Sequence, residues 1–443
     1  MRYIIGMRKA LISIGRSSLV VFLALGIGCT GKNCVRKHAK GKVPLNPQTL
    51  LTSNASLRES DAISAAYKLK KTDRETLYGL NNLNSYPNKV KKLKRVAKVE
   101  ESKQAIVLLH GLHRVSYDFA TMQAVLKEKF PHASILASTS LNKDPNKKGA
   151  LNSFDSPTTS LCIKDQAKSV YEEIKNMLPG KHIVIVGHSQ GGLRGFVLVK
   201  EYRCRLKQEG IDMNHLITIG TPWKGAPVMG HIKNIKQFQK EFKKIEPILD
   251  KIQKNYGKDV IRYFFKFRPE LAQKWPNLYS IAVTYFMNKI CPGAAVLEPG
   301  SDFIRDYIAP GLQKVNIPIT AIAGVLTDFS NLFDPFSSSI SAEALHKLNA
   351  TYARLISGNE KSEHDMLLPV DTQHAEGFTK SNFKCITVYG ACHGNKVGRT
   401  VKEGISELNN REVIQKVVES IEATFYENKE EVLENPELCS PAA

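Results

Sequence analysis

Ile183-Val-Ile-Val186, then Gly187-His188-Ser189-Gln190-Gly191-Gly192, then Leu193 to Tyr202 is the stretch that decides the fold. The short apolar, β-branched run reads as a buried strand, and the segment after the glycines reads as a helix. Between them lies G-x-S-x-G. A strand turning so tightly into a helix leaves room only for small flanking residues. The turn also lifts the serine hydroxyl onto the helix N-terminus, above the sheet. Alone, the five-residue pattern is weakly specific. Set between a β-run and a helix, it is much more so.

The same motif of apolar run and turn recurs on both sides. Upstream, Ala105-Ile-Val-Leu-Leu109 reads as another buried strand and runs straight into His110-Gly111-Leu112. Downstream, Leu216-Ile-Thr-Ile-Gly220 runs into Thr221-Pro222-Trp223-Lys224-Gly225, and Leu297-Glu-Pro-Gly-Ser-Asp-Phe303 follows later. With these segments the chain resembles the α/β-hydrolase superfamily. G-T-P-x-x-G after a strand and L-x-P-G-S-x-F are similar to segments of bacterial triacylglycerol lipases. The palmitoyl-thioesterase branch shares G-x-S-x-G and a lid. The resemblance covers residues 103–425 in patches. It implies an α/β fold with a mostly parallel sheet, flanking helices and a helical lid or cap insertion. It also implies a serine nucleophile, Ser189, with acid and base following in the order Ser, Asp/Glu, His.

Residues 384–389 read as a last strand, and Gly390-Ala-Cys-His393-Gly394 turns off its end. This fold delivers its base on that loop, so His393 is the expected base and His374 the alternative. The expected acid is Asp365. Glu363-His364-Asp365-Met366-Leu367-Leu368-Pro369 looks like the D-x-x-V-P segment of lipases, with Leu368 in place of Val. Asp328, behind the apolar run 319–325, is its rival. Glu363 and Asp371 read more readily as solvated loop residues. The resemblance further implies an oxyanion hole of backbone N–H groups, from Gln190 and from the loop after His110-Gly111, most simply Leu112. The expected chemistry needs no metal and no cofactor. Cys392, beside His393, reads as a small strand-end residue rather than a nucleophile.

The rest of the chain bears on where such chemistry would act. Its 443 residues allow one to three domains. With 42% apolar and 24% charged residues it is neither a polytopic membrane protein nor a disordered chain. The net charge of +21 suggests an acidic partner, nucleic acid or an anionic membrane. Its distribution favours the membrane. Residues 1–100 hold 20 Lys+Arg against 5 Asp+Glu, whereas residues 101–443 hold 43 against 37. Arg2, Arg8, Lys9 and Arg16 precede an apolar run, 19–28, that ends at Cys29. That pattern reads as an export signal, too short to span a bilayer. Small residues before Cys29 resemble the lipobox of bacterial lipoproteins, which implies lipidation at Cys29 and a membrane-anchored protein of a bacterial cell envelope. Ordinary secretion is the alternative.

The expected organisation is a signal peptide over 1–28, a basic tether over 29–102, a catalytic domain over 103–425 and a tail over 426–443. An insertion over 228–315 carries Ile232, Ile235, Phe238, Phe242, Ile245, Leu249 and Ile252 at helical spacing, with lysines on the other face. It reads either as a cap packed on the core or as a lid over an acyl pocket. No cysteine pair has CxxC spacing, so a zinc site is not expected. The expected function is hydrolysis of carboxylic esters of lipids, with a lipid or acyl ester as partner and no nucleic acid. A thioesterase or amidase on the same residues is the alternative. A lipoprotein that only binds lipid or protein is the reading from another class.

Overall fold

The computed structural model describes residues 103–112, 114–141, 159–227, 229–230, 240–241, 243–248, 250–251, 292–332, 340–378, 381–394 and 404–427. The expected export run, Cys29, the basic tether, most of the lid helix and the tail beyond 427 lie outside these residues.

Six strands form one sheet: β1 (Gln104–Leu109), β2 (Ser134–Ala137), β3 (His182–His188), β4 (Asp212–Ile219), β5 (Ile319–Val325) and β6 (Phe383–Tyr389). Their order is β2-β1-β3-β4-β5-β6, and every neighbouring pair is parallel. Parallel strands require crossovers that cover both faces, so their sequences are continuously apolar rather than alternating. The side chains still alternate in space. Ala105, Val107, Leu109, Ile183 and Ile185 pack on one face with α2 (Ile163–Met177), α3 (Gln190–Val197) and α4 (Ala342–Ser357). Ile106, Leu108, Val184 and Val186 pack on the other with α1 (Ala120–Lys129) and α5 (Arg411–Glu422).

Local chemistry sets the helix ends. The Ser341 hydroxyl accepts from the Ala344 N–H at the start of α4, and Gly358 closes that helix at φ 79°. Asn410 caps α5 by accepting from the Glu412 and Val413 N–H groups. Val413, Ile414, Val417, Val418 and Ile421 then form its buried stripe. Strands β1, β3, β4, β5 and β6 fall on the apolar runs. β2 does not: Ser134-Ile-Leu-Ala137 is a half-buried edge strand defined by its pairing with β1.

In the insertion, Ile245 is buried in the core while Lys243 and Lys244 are exposed. Glu241 accepts from Arg354 of α4 at 3.2 Å. Among the described residues no helix is long and apolar enough to cross a membrane. Cys162, Cys385 and Cys392 carry free thiols.

The chain moves from β1 to β2 on one side, then to β3 on the other. The sheet order therefore reverses between β1 and β3. In open parallel sheets, such a switch point at the carboxyl ends of the strands is where ligands bind.

Candidate active site

Ser189 stands at that point, between the last residue of β3 and the first of α3. Its backbone is left-handed, φ 55° and ψ −128°, which costs a non-glycine residue about 1–3 kcal/mol. The surroundings hold it there. Its N–H donates to the Ile219 carbonyl at 2.9 Å, and its own carbonyl accepts from Gly192 N–H at 3.0 Å and the Thr221 hydroxyl at 3.1 Å. The flanking glycines are a packing requirement. A Cβ on Gly187 would lie 2.6 Å from the Gly191 carbonyl oxygen, and one on Gly191 would collide with the Leu109 carbonyl.

Ser189 Oγ lies 2.9 Å from His393 Nε2, and His393 Nδ1 lies 2.8 Å from Asp365 Oδ2. The three expected residues thus form one hydrogen-bonded chain. His393 follows β6, and its N–H donates to the Asp365 carbonyl at 2.8 Å. Asp365 sits on the loop after α4. Its Oδ1 accepts from the Leu367 and Leu368 N–H groups at 2.8 and 2.6 Å, leaving Oδ2 for the imidazole. The loop is tied to β5 by Leu326 N–H on the His364 carbonyl, and by Gln373, which exchanges hydrogen bonds with Gly324 and also donates to the Leu368 carbonyl.

The alternatives are placed elsewhere. Asp328 accepts from Ser330 N–H and Asn349 Nδ2, capping a short turn. Asp371 pairs with Lys224 at 2.7 Å, and Glu363 accepts from the Tyr389 hydroxyl. His374 Nε2 faces the Ile386 carbonyl.

The expected oxyanion loop lies against Ser189: a Cβ on Gly111 would stand 2.9 Å from Ser189 Cβ. Leu112 is the next residue along this backbone, and Gln190 begins α3. A fully buried cation braces the loop from behind. Arg194 of α3 donates to the His110 carbonyl at 2.5 Å and to Gln166 Oε1 at 2.8 Å. Burial lowers its pKa to about 9, so it stays charged at neutral pH. Burial also lowers His110 to about 3, and its neutral ring Nδ1 contacts the Gly111 carbonyl at 3.2 Å.

Beneath the base lies a carboxyl group that sequence reading did not single out. Glu407 is completely buried, with Oε2 3.0 Å from His188 Nε2 and 3.6 Å from His393 Nδ1. His188, His393 and Glu407 hold three ligand-type atoms within 4.8 Å of one another. Both ring nitrogens of His393 are already engaged, so a metal ion here would break the chain from Ser189 to Asp365. Arg194 was equally unmarked: an arginine after Gly-Gly-Leu carries no signal of burial.

Residues 105–267, just over a third of the chain, match the palmitoyl protein thioesterase family model. No curated protein sequence matches the chain. Among solved structures, it is similar to a mature-form lipase of Bacillus licheniformis, at 12% identity and TM-score 0.35, over 67% of this chain and 87% of that one. An esterase of a Rhodococcus species matches at 13% identity and TM-score 0.35, over 73% and 92%. A Legionella pneumophila phospholipase matches at 10% identity and TM-score 0.37, over 73% and 64%. The parallel sheet with helices on both faces, the strand–turn–helix at Ser189 and the family match make this chain a protein of the α/β-hydrolase fold.

Proposed function

We propose that the protein is a serine hydrolase that cleaves carboxylic esters of lipids, with Ser189 as nucleophile, His393 as base and Asp365 as acid. The observation that carries this reading is the unbroken chain of 2.9 and 2.8 Å contacts from Ser189 Oγ through His393 to Asp365. Ser189 Oγ attacks the acyl carbonyl carbon while its proton passes to His393 Nε2. Asp365 holds the Nδ1–H edge and stabilises the imidazolium. The Leu112 and Gln190 N–H groups receive the negative charge on the carbonyl oxygen. Collapse expels the alcohol, protonated by His393, and leaves an acyl-serine. His393 then takes a proton from water, whose oxygen attacks the ester and releases the acid.

The lipid preference is supported by the lipase-like segments at 220–225 and 297–303 and by the apolar and basic faces around Ile245. Export, lipidation at Cys29 and a tether held to an anionic surface by its basic residues belong to the same proposal. Intact-mass analysis of the mature N-terminus tests them. The second reading, an acyl thioesterase, is supported by the family match over 105–267. Oxygen esters and thioesters of one acyl chain, assayed on wild type beside Ser189→Ala, separate the two. Faster turnover of the oxygen ester supports the first reading, and faster turnover of the thioester the second. Turnover that survives Ser189→Ala removes both.

A further inference from the structure

Glu407 has no part in the reaction described above, yet its place is built with care. Its N–H donates to the Cys392 carbonyl at 2.8 Å, and the Cys392 N–H donates to the Ile405 carbonyl at 2.6 Å. A short bridge thereby pins Glu407 beside the residue preceding the base. On the opposite side, Gly220 at the end of β4 and Gly324 in β5 leave the space its carboxyl fills. A Cβ on either would run into the Glu407 oxygens.

The titratable groups facing this carboxyl are His188 from β3, Asp365 from the loop after α4, and His393 and Cys392 from the loop after β6. No lysine or arginine among the described residues pairs with it. Two carboxyl groups this close, without a cation, do not both ionise. Asp365 has two backbone donors and the nearer contact to the imidazole. Glu407 faces His188 at 3.0 Å and the Asp365 carboxyl itself, and the one backbone donor near it, Gly324 N–H, also donates to Gln373. The proton therefore belongs on Glu407. Burial, and then the charge of Asp365, raise the Glu407 carboxyl well above its usual range, while burial lowers His188 well below its own.

We propose that Glu407 is a positioning residue for the base: a neutral carboxylic acid that, paired with His188, backs Asp365 and the Nδ1 edge of His393 and keeps the imidazole aimed at Ser189. Its neutrality matters as much as its position. A second anion here would lie 3.6 Å from His393 Nδ1 and beside the Asp365 carboxyl, with no described lysine or arginine paired to it. The proposal rests on the serine-hydrolase reading, but its first test does not.

That test compares the thermal stability of wild type and Glu407→Gln across pH. A carboxyl whose folded pKa is raised keeps its stability contribution below the unfolded value of 4.5 and loses it as pH rises. Wild type should thus match the glutamine variant at acid pH and fall behind it progressively toward neutrality. A gap of opposite sign, or one independent of pH, would overturn the proposal. The second test is kinetic. Glu407→Leu should lower kcat by about 10–100-fold with KM within about twofold, and Glu407→Gln should recover most of that loss. The acid limb of kcat/KM should coincide in Glu407→Gln and wild type. Wild-type kcat in Glu407→Leu would reduce Glu407 to packing. An acid limb displaced to lower pH in Glu407→Gln would mean that an anion had been removed from beside His393. Either result overturns the proposal. If Glu407→Leu does not fold, the glutamine variant still decides it. A failure of the serine-hydrolase reading shows separately, as turnover unaffected by Ser189→Ala.

Discussion

The two sides of the candidate site are built differently. On the side of β1 and β3, the geometry is local. Ser189 is held by a turn whose glycines lie within a few residues of it, and Gly111 lies two residues beyond the end of β1. On the side of β5 and β6, the residues are assembled from distant parts of the chain. Asp365, His393 and Glu407 come from three loops, and they meet through hydrogen bonds such as Leu326 to His364 and Cys392 to Ile405. Their buried charges also differ. A cation, Arg194, braces the loop expected to face a developing oxyanion. Beneath His393 lies a buried acid, Glu407, proposed above to be neutral. On the proposed reading, one side would stabilise negative charge and the other would avoid adding more of it.

This contrast can be broken by substitution. The largest effect is expected for His393→Ala, which should lower kcat by roughly 10⁶-fold if base and nucleophile act as a unit. Asp365→Asn should follow, at about 10⁴-fold, by removing the charge that orients the imidazole. Steady-state kinetics on a soluble acyl ester reads both. Comparable losses in Asp328→Asn would reassign the acid, whereas its place as a turn cap predicts kcat within about twofold of wild type. Arg194→Met tests the other side. It leaves the His110 carbonyl and Gln166 Oε1 without their donor, at a cost of about 2–4 kcal/mol, and should slow kcat about tenfold through drift of the Gly111 loop. Denaturant unfolding beside kinetics would show whether the two losses occur together.

Acid pH gives the most distributed effect. Burial lowers His110 to about 3 and His215 and His364 to about 4, so the unfolded chain binds protons at these positions before the folded one does. Stability should be fully present above about 6.5 and fall as pH drops, each histidine removing up to roughly 3 kcal/mol by pH 4. A thermal midpoint that stays flat across that interval would show that these rings are charged in the fold.

Legibility in the sequence follows the same division. The turn at Ser189 was readable because its steric demands fall on adjacent residues and leave Gly187 and Gly191 in the sequence. The placement of His393 and Asp365 beside Ser189 matches short segments whose resemblance, rather than spacing, favours Asp365 over Asp328; their roles remain part of the proposal. β2 was not readable, since Ser134-Ile-Leu-Ala137 becomes a strand only by pairing with β1. Neither was Glu407. Its partner His188 lies 219 residues away, and no local periodicity marks an acid that tertiary contacts will bury. Arg194 hid for a related reason, because a charged residue on a helix ordinarily reads as part of the solvated face.

Labelling with a fluorophosphonate, followed by peptide mapping, asks whether Ser189 is a nucleophile activated by His393. The adduct should sit on Ser189 in wild type, disappear in Ser189→Ala and form far more slowly in His393→Ala. An adduct on another residue, or labelling that persists in Ser189→Ala, would contradict the assignment.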